Sequence, residues 1–217
     1  MPSRRPLPRG TLTPPLIVGA ALELIDAEGL DGLTMRRLAG VLGCEAMSLY
    51  KHVADKATLL TMVIDEVMAD FRAPDTSDRW DDRLRAVAGE VRRLALAHPH
   101  LFPLVAVQLP ASSVSMAPVE ALLGALSAAG LDDDNLMHAF WALVAYLTGA
   151  LLAETAAVVG VEQPFPFELS GEEPTDTPHV ARLAGRLAAS DYAVEFESGL
   201  QLVLDSIAVR ASESSDH

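Results

Sequence analysis

The sequence predicts an all-α protein: an N-terminal three-helix helix-turn-helix domain followed by a C-terminal helical bundle. Three observations carry this. Apolar residues recur at helical spacing almost throughout the 217 residues, with no run of alternating, β-branched strand. Proline and glycine fall where helices open and close. Charge is divided unevenly along the chain. Residues 1–56 hold seven of the 16 basic residues and six of the 30 acidic ones, a balance of +1, so the remainder carries −15 of the net −14. An anionic partner can approach only the first part.

The elements follow in order. Thr13 is placed to cap a helix opening with Pro14, where a missing N–H costs nothing. Ile17, Ala20, Ala21, Leu24 and Ile25 share its inner face, and Gly29 is placed to end it. Thr34 starts a short second helix with Leu38 and Leu42 inward, and Gly43 breaks it. A third helix is expected from about Glu45 to His52. Asp55 starts a fourth, to about residue 71, which links the halves and carries Leu60, Val63, Ile64, Val67 and Phe71 on one face. After a loop at 73–77 comes a helix keyed on Trp80, Leu84, Val87, Val91 and Leu94, stopped near Pro99. Four prolines (99, 103, 110, 118) divide the uncharged stretch 94–119 into short pieces. A helix from about Ala117 to Ala129 ends at Gly130. Asp132, Asp133 and Asp134 then sit where a helix N-terminus favours negative charge, opening a long helix to about 158. Residues 160–178, with four prolines and five acids, read as a flexible loop. Thr177-Pro178 opens another helix. The last, about 191–210, carries Phe196, Leu200, Val203, Leu204 and Ile207, and 211–217 reads as a disordered tail.

Composition excludes several classes. A single cysteine, Cys44, rules out a disulfide framework and fits a reducing, cytoplasmic compartment. Arginines followed by Leu16–Leu22 mimic a signal peptide, but Pro14, Pro15, Glu23 and Asp26 interrupt it and no cleavage site follows. Asn135 to Ala153 lacks Asp, Glu, Lys and Arg, which approaches membrane-spanning length. Without basic flanks it reads as a helix buried in a bundle or dimer, with no membrane partner. No serine nucleophile elbow, phosphate-binding glycine loop or carboxylate pair appears, and nothing activates Ser112 or Ser113, so no enzyme is expected. His98, His100 and His138 lack a carboxylate at helical spacing, so no metal site and no cofactor are expected.

Residues 34–52 have the layout of a helix-turn-helix, a pair that can lay its second helix in the DNA major groove. The wider stretch 29–60, GLDGLTMRRLAGVLGCEAMSLYKHVADKATLL, resembles the DNA-binding domain of the tetracycline-repressor (TetR) family of transcription regulators. The matching points are Gly29, Leu33-Thr34, Arg36, Leu38-Ala39, Leu42-Gly43, Leu49-Tyr50, His52, Lys56 and Leu59-Leu60. The second half resembles that family's tetracycline-repressor-like partner domain through His-Pro-His-Leu-Phe-Pro at 98–103, Ala-Gly-Leu-Asp at 129–132, and the order of helices.

The division expected is 1–56 for DNA and 57–217 for effector binding and dimerisation. Arg36 can reach phosphate or guanine. Ala46 and Met47 offer only apolar contact and Ser48 a hydroxyl at the tip of the third helix, and Tyr50, Lys51, His52 and Lys56 are spaced for phosphates. Leu38, Ala39, Leu42 and Leu49 are core, Arg37 reads as solvated, and Cys44 as a packed residue. Arg4, Arg5 and Arg9 form either a DNA-reaching arm or a tail without a role. The tetracycline repressor has glutamine and proline where Ala46 and Met47 stand, so its operator does not carry over. Its drug-chelating glutamate falls at Ala153, beside Glu154, which argues against a tetracycline–magnesium effector.

A mostly apolar interior suits a small hydrophobic effector, with His100, Phe102, Met116, His138, Trp141 and Tyr146 as candidate lining. The resemblance implies a homodimer on a palindromic operator in double-stranded DNA. The long and last helices would form a four-helix seam with their mates through Leu200, Val203, Leu204 and Ile207. The alternative is a helical binding or sequestering protein whose helix-turn-helix no longer meets DNA.

Overall fold

A computed structural model describes residues 12–76, 78–108, 112–160, 177–189 and 191–214. Within them the chain forms ten helices and no strand, as the sequence predicts. They are α1 (Pro14–Gly32), α2 (Met35–Leu42), α3 (Ala46–Leu49), α4 (Lys56–Met68), α5 (Trp80–Ala97), α6 (Phe102–Val107), α7 (Ala117–Ala128), α8 (Asp133–Val158), α9 (Pro178–Ala188) and α10 (Tyr192–Ser214). The arginines at 4, 5 and 9, and nearly all of the expected loop at 160–178, lie outside the described residues.

Packing divides the chain into two compact units, Met1–Asp75 with Ala86–Leu122, and Thr76–Arg85 with Leu123–His217. In the first, α1 packs on α2 and α4. Their shared core includes Ile17, Ile25, Leu38, Leu49, Leu59 and Val63, all fully buried. The core does not stop at residue 56: Leu94 of α5 and Leu101 ahead of α6 belong to it. A cluster beside α4 closes this unit, where Ser112 Oγ donates to Asp65 Oδ1 at 2.6 Å and Ser115 Oγ lies 3.1 Å from Ser112 Oγ.

In the second unit α10 lies along α8. Arg210 Nη1 donates to Asn135 Oδ1 near the start of α8, and Tyr146 Oη donates to the Phe196 carbonyl farther along. This pairing order makes the two helices antiparallel. Gly199 of α10 packs against Tyr146 of α8, where an added Cβ would lie 2.6 Å from Cε2 of Tyr146.

Several sequence expectations need correction. Thr13 occupies the N-cap position of α1, but its side chain caps nothing. Gly29, at φ +75°, kinks α1, and the helix resumes to Gly32 because Leu30 to Gly32 still have helical backbone. The third helix, expected over about 45–52, is only Ala46–Leu49. The chain tightens there, with the amides of His52 and Val53 both turning back to the Leu49 carbonyl. The expected tail from 211 is helical to Ser214, and Ser212 Oγ bonds the Val209 carbonyl.

Leu200, Leu204 and Ile207, expected to meet a partner, are buried inside the protomer where α10 packs on α8, with Val203 half-buried beside them. The side of α10 left open carries Leu202, 70% exposed, and Val209. Periodicity marks the residues that share a face; it does not say which of two apolar faces meets its own chain.

The contact at Gly199 gives a test of the α8–α10 pairing. Gly199→Ala forces a methyl into the Tyr146 ring and should destabilise the protein by about 1–3 kcal/mol in chemical unfolding. Combining it with Tyr146→Leu should cost less than the two single changes added, because the clash is shared. Strict additivity would mean that the two residues do not touch.

Candidate nucleic-acid interface

The helix-turn-helix is built from local rules. Thr34 accepts the Arg37 amide at 3.1 Å and caps α2. Gly43, at φ +65°, takes the left-handed conformation that ends α2, and the Cys44 amide returns to the Ala39 carbonyl. Met35, Leu38, Ala39, Leu42 and Leu49 all turn inward. Asp55 caps α4 by accepting the Thr58 amide at 2.7 Å, a bond that holds its carboxyl below the usual range. Cys44 packs partly on the core, and burial pushes its thiol up, away from the reactive thiolate.

What remains outside is a compact tip. Met47 of α3 is 71% exposed, and Tyr50 is also exposed. Arg36, Lys51, His52 and Lys56 are exposed, and Ser48 is half-buried. Ala46 packs partly on the core, so Met47 is the large apolar side chain of this tip. Lys56 Nζ lies 3.5 Å from the Leu30 carbonyl, a contact long enough to give way to a phosphate.

One feature escaped the sequence. Arg37, read as solvated, forms an ion pair with Glu28 of α1, which ties α2 to α1 and neutralises one of the two adjacent arginines. Arg36 keeps its charge for an outside partner. Nine residues separate Arg37 from Glu28, across the Gly29 kink, and no helical spacing signals such a pair.

The candidate effector residues are shared between the units. In the first, His100 is half-buried, with Nδ1 3.6 Å from where a Cβ on Gly29 would stand. Phe102 is buried and Met116 exposed. In the second, Tyr146 is half-buried against α10, whereas His138 is exposed and Trp141 is 59% exposed, its ring edge-on to Phe140. His98 is used within the first unit, its Nδ1 3.0 Å from Asp26. Among the described residues no group of three His, Cys, Asp or Glu is placed to hold a metal ion.

Residues 73–211 match the family described as tetracyclin repressor-like, C-terminal domain. An HTH-type transcriptional regulator of Saccharopolyspora erythraea is 31% identical over 217 residues, spanning 97% of this chain and 90% of its own. The Streptomyces coelicolor TetR family protein ActR, in complex with actinorhodin, superposes with a TM-score of 0.80 at 30% identity over 92% of this chain and 98% of its own. BioQ of Mycobacterium smegmatis, on its natural double-stranded DNA operator, superposes with a TM-score of 0.63 at 27% identity over 91% and 98%.

The Thr34 cap sets the start of α2 and should be measurable alone. Thr34→Ala should cost about 1 kcal/mol of stability and speed hydrogen exchange at the Arg37 amide. Unchanged exchange there would show that the cap does not hold α2.

Proposed function

The chain belongs to the tetracycline-repressor (TetR) family of transcriptional regulators, and on that premise we propose that it is a homodimeric repressor, released from a palindromic operator by a small hydrophobic effector. The observation that carries the reading is the division of labour in the helix-turn-helix. Its leucines are used inside, while Met47 stands out amid Arg36, Tyr50, Lys51, His52 and Lys56. A protruding apolar tip suits a thymine methyl, Ser48 and Arg36 suit base edges or phosphates, and the others suit the DNA backbone. Residues 1–56 would meet DNA and 57–217 would answer the effector.

Dimerisation rests on α8. Only 22% of its most apolar stretch is buried within the protomer. Met137, His138, Trp141, Ala142, Ala145 and Gly149 face outward, with no Asp, Glu, Lys or Arg among them. A second copy would cover this side together with Leu202 and Val209 of α10, and would set two heads about one DNA turn apart. Alone among the described helices, α8 has the length and composition to cross a membrane. Its burial in a dimer of a cytoplasmic regulator accounts for that composition without a lipid partner.

ActR holds actinorhodin in its complex, which supports a small-molecule effector here. Of the candidate lining, Tyr146 is half-buried within the second unit, and His100 and Phe102 are half-buried and buried within the first; Met116, His138 and Trp141 face out of the protomer. The effector acts by preferring one of two dimer states, and its differential affinity sets the size of the response. No catalytic step, metal or cofactor is needed.

DNA binding should be strongly salt-dependent. Lys51→Ala should weaken binding to every sequence and flatten the slope of log affinity against log salt by about one unit. Met47→Ala should alter sequence preference and leave that slope alone. Operator affinity insensitive to salt would sink the reading and favour a sequestering protein.

The two faces of α10 separate dimerisation from folding. In sedimentation, Leu202→Glu should give a folded monomer. Leu204→Glu should unfold the protomer, because its charge enters the core. A Leu202→Glu protein that stays dimeric would put the seam elsewhere.

A further inference from the structure

Arg83 carries a donor that the fold leaves unused. It stands in the first turn of α5, where the helix field already disfavours a cation. Its neighbours are all engaged. Arg79 Nε meets Asp81 at 3.1 Å, and Arg85 meets Asp81 at 3.1 Å, Asp82 at 3.3 Å and Gln201 at 2.9 Å. The Arg83 backbone amide returns to the Arg79 carbonyl, but its side-chain Nε is buried with no acceptor. This happens in a chain whose acidic residues outnumber its basic ones by 30 to 16, so carboxylates are not scarce. A guanidinium N–H shielded from water and left without an acceptor is unfavourable, and an apolar side chain of the same length would avoid the cost.

The surroundings hold the group in place. One Nη lies 3.2 Å from where a Cβ on Gly124 would stand, so the guanidinium lies across α7 at a position that has no side chain. After Gly124, Ala125 and Leu126 of α7 are fully buried, and Leu84 next to Arg83 is fully buried as well. The arrangement offers a planar, permanently charged donor group laid against an apolar stretch of α7. Its chemical complement is the carboxylate of a molecule that is apolar elsewhere, since a carboxylate accepts from two guanidinium N–H groups in one plane.

We propose that Arg83, packed over Gly124, is the anchor for a carboxylate on the effector, which makes the ligand class hydrophobic organic acids. The inference rests on the effector reading above in taking that ligand to be the regulator's signal. The missing acceptor of Nε would be the ligand oxygen, and the −15 of residues 57–217 would keep weakly held anions away from every other point of this half.

The test uses butanoate, octanoate and 2-naphthoate, each beside its primary amide, with sodium chloride added to equal ionic strength. The melting temperature of the full-length protein is read for wild type, Arg83→Met and Arg83→Lys. At least one acid should raise the wild-type value by about 2 °C or more beyond its amide. That excess should vanish in Arg83→Met and shrink in Arg83→Lys, which keeps the charge and loses the planar fork. Should Arg83→Met fail to fold, Arg83→Gln takes its place. If no acid exceeds its amide in wild type, or if the excess survives removal of the guanidinium, the anchor is overturned. Operator binding by wild type, measured in parallel without acid, judges the repressor reading separately. DNA binding without an acid preference removes only the anchor, and an acid preference without DNA binding removes only the repressor.

Discussion

The proposed assembly depends on one constraint: α8 runs 19 residues, from Asn135 to Ala153, without a formally charged side chain, and its own protomer covers only part of it. Leu143, Leu147 and Leu151 turn inward, and α10 lies along this helix. The side bearing Met137, Trp141, Ala145 and Gly149 is left open. Burying a large apolar side chain is worth about 1.5–3 kcal/mol, so a helix of this kind exposed to water is a strong drive to associate. Its small residues, Ala142, Ala145 and Gly149, let a second helix approach closely. A palindromic site needs two heads, and a seam along α8 and α10 would join two copies of the chain that carries one.

The head faces a different constraint. A three-helix unit of some fifty residues buries too little to be robust by itself. Here the core of α1, α2 and α3 continues into α4 and takes in Leu94 and Leu101. Asp65 of α4 accepts a hydrogen bond from Ser112, and Asp26 of α1 pairs with His98. The reading surface is therefore fastened to segments that lie far along the chain, within one compact unit. A change at those segments has a physical path to α1 and α4, which is what a regulator needs if a small molecule is to move its DNA-binding residues.

Much of this was legible in the sequence where the rule is local. Thr34, Asp55 and Asp132 are caps whose side chains accept the amide three residues on, and Gly29, Gly43 and Gly130 all take positive φ. The inward leucines of α2 and α3 followed from helical spacing, and the helix-turn-helix stood out because its glycine and caps have fixed offsets. What escaped was decided by partners distant in sequence. The stripe Leu200, Leu204 and Ile207 was recognisable as apolar, but its partner, α8, lies some fifty residues away. The Arg37–Glu28 pair crosses a kink, and Arg83 looks like any helix arginine until its Nε is found without an acceptor. The aromatic candidates dispersed for the same reason: His138 and Trp141 share a face of α8, as their spacing implies, but that face turns outward.

On a palindromic operator two heads must act as one. Native mass spectrometry of the full chain with a palindromic duplex from upstream of its own gene counts the protomers on DNA directly. Two chains per duplex, with no singly bound species at limiting protein, is the result expected if the α8 seam forms before DNA is met. One chain per duplex as the dominant species would contradict it, because a head that binds alone needs neither the seam nor the spacing it sets.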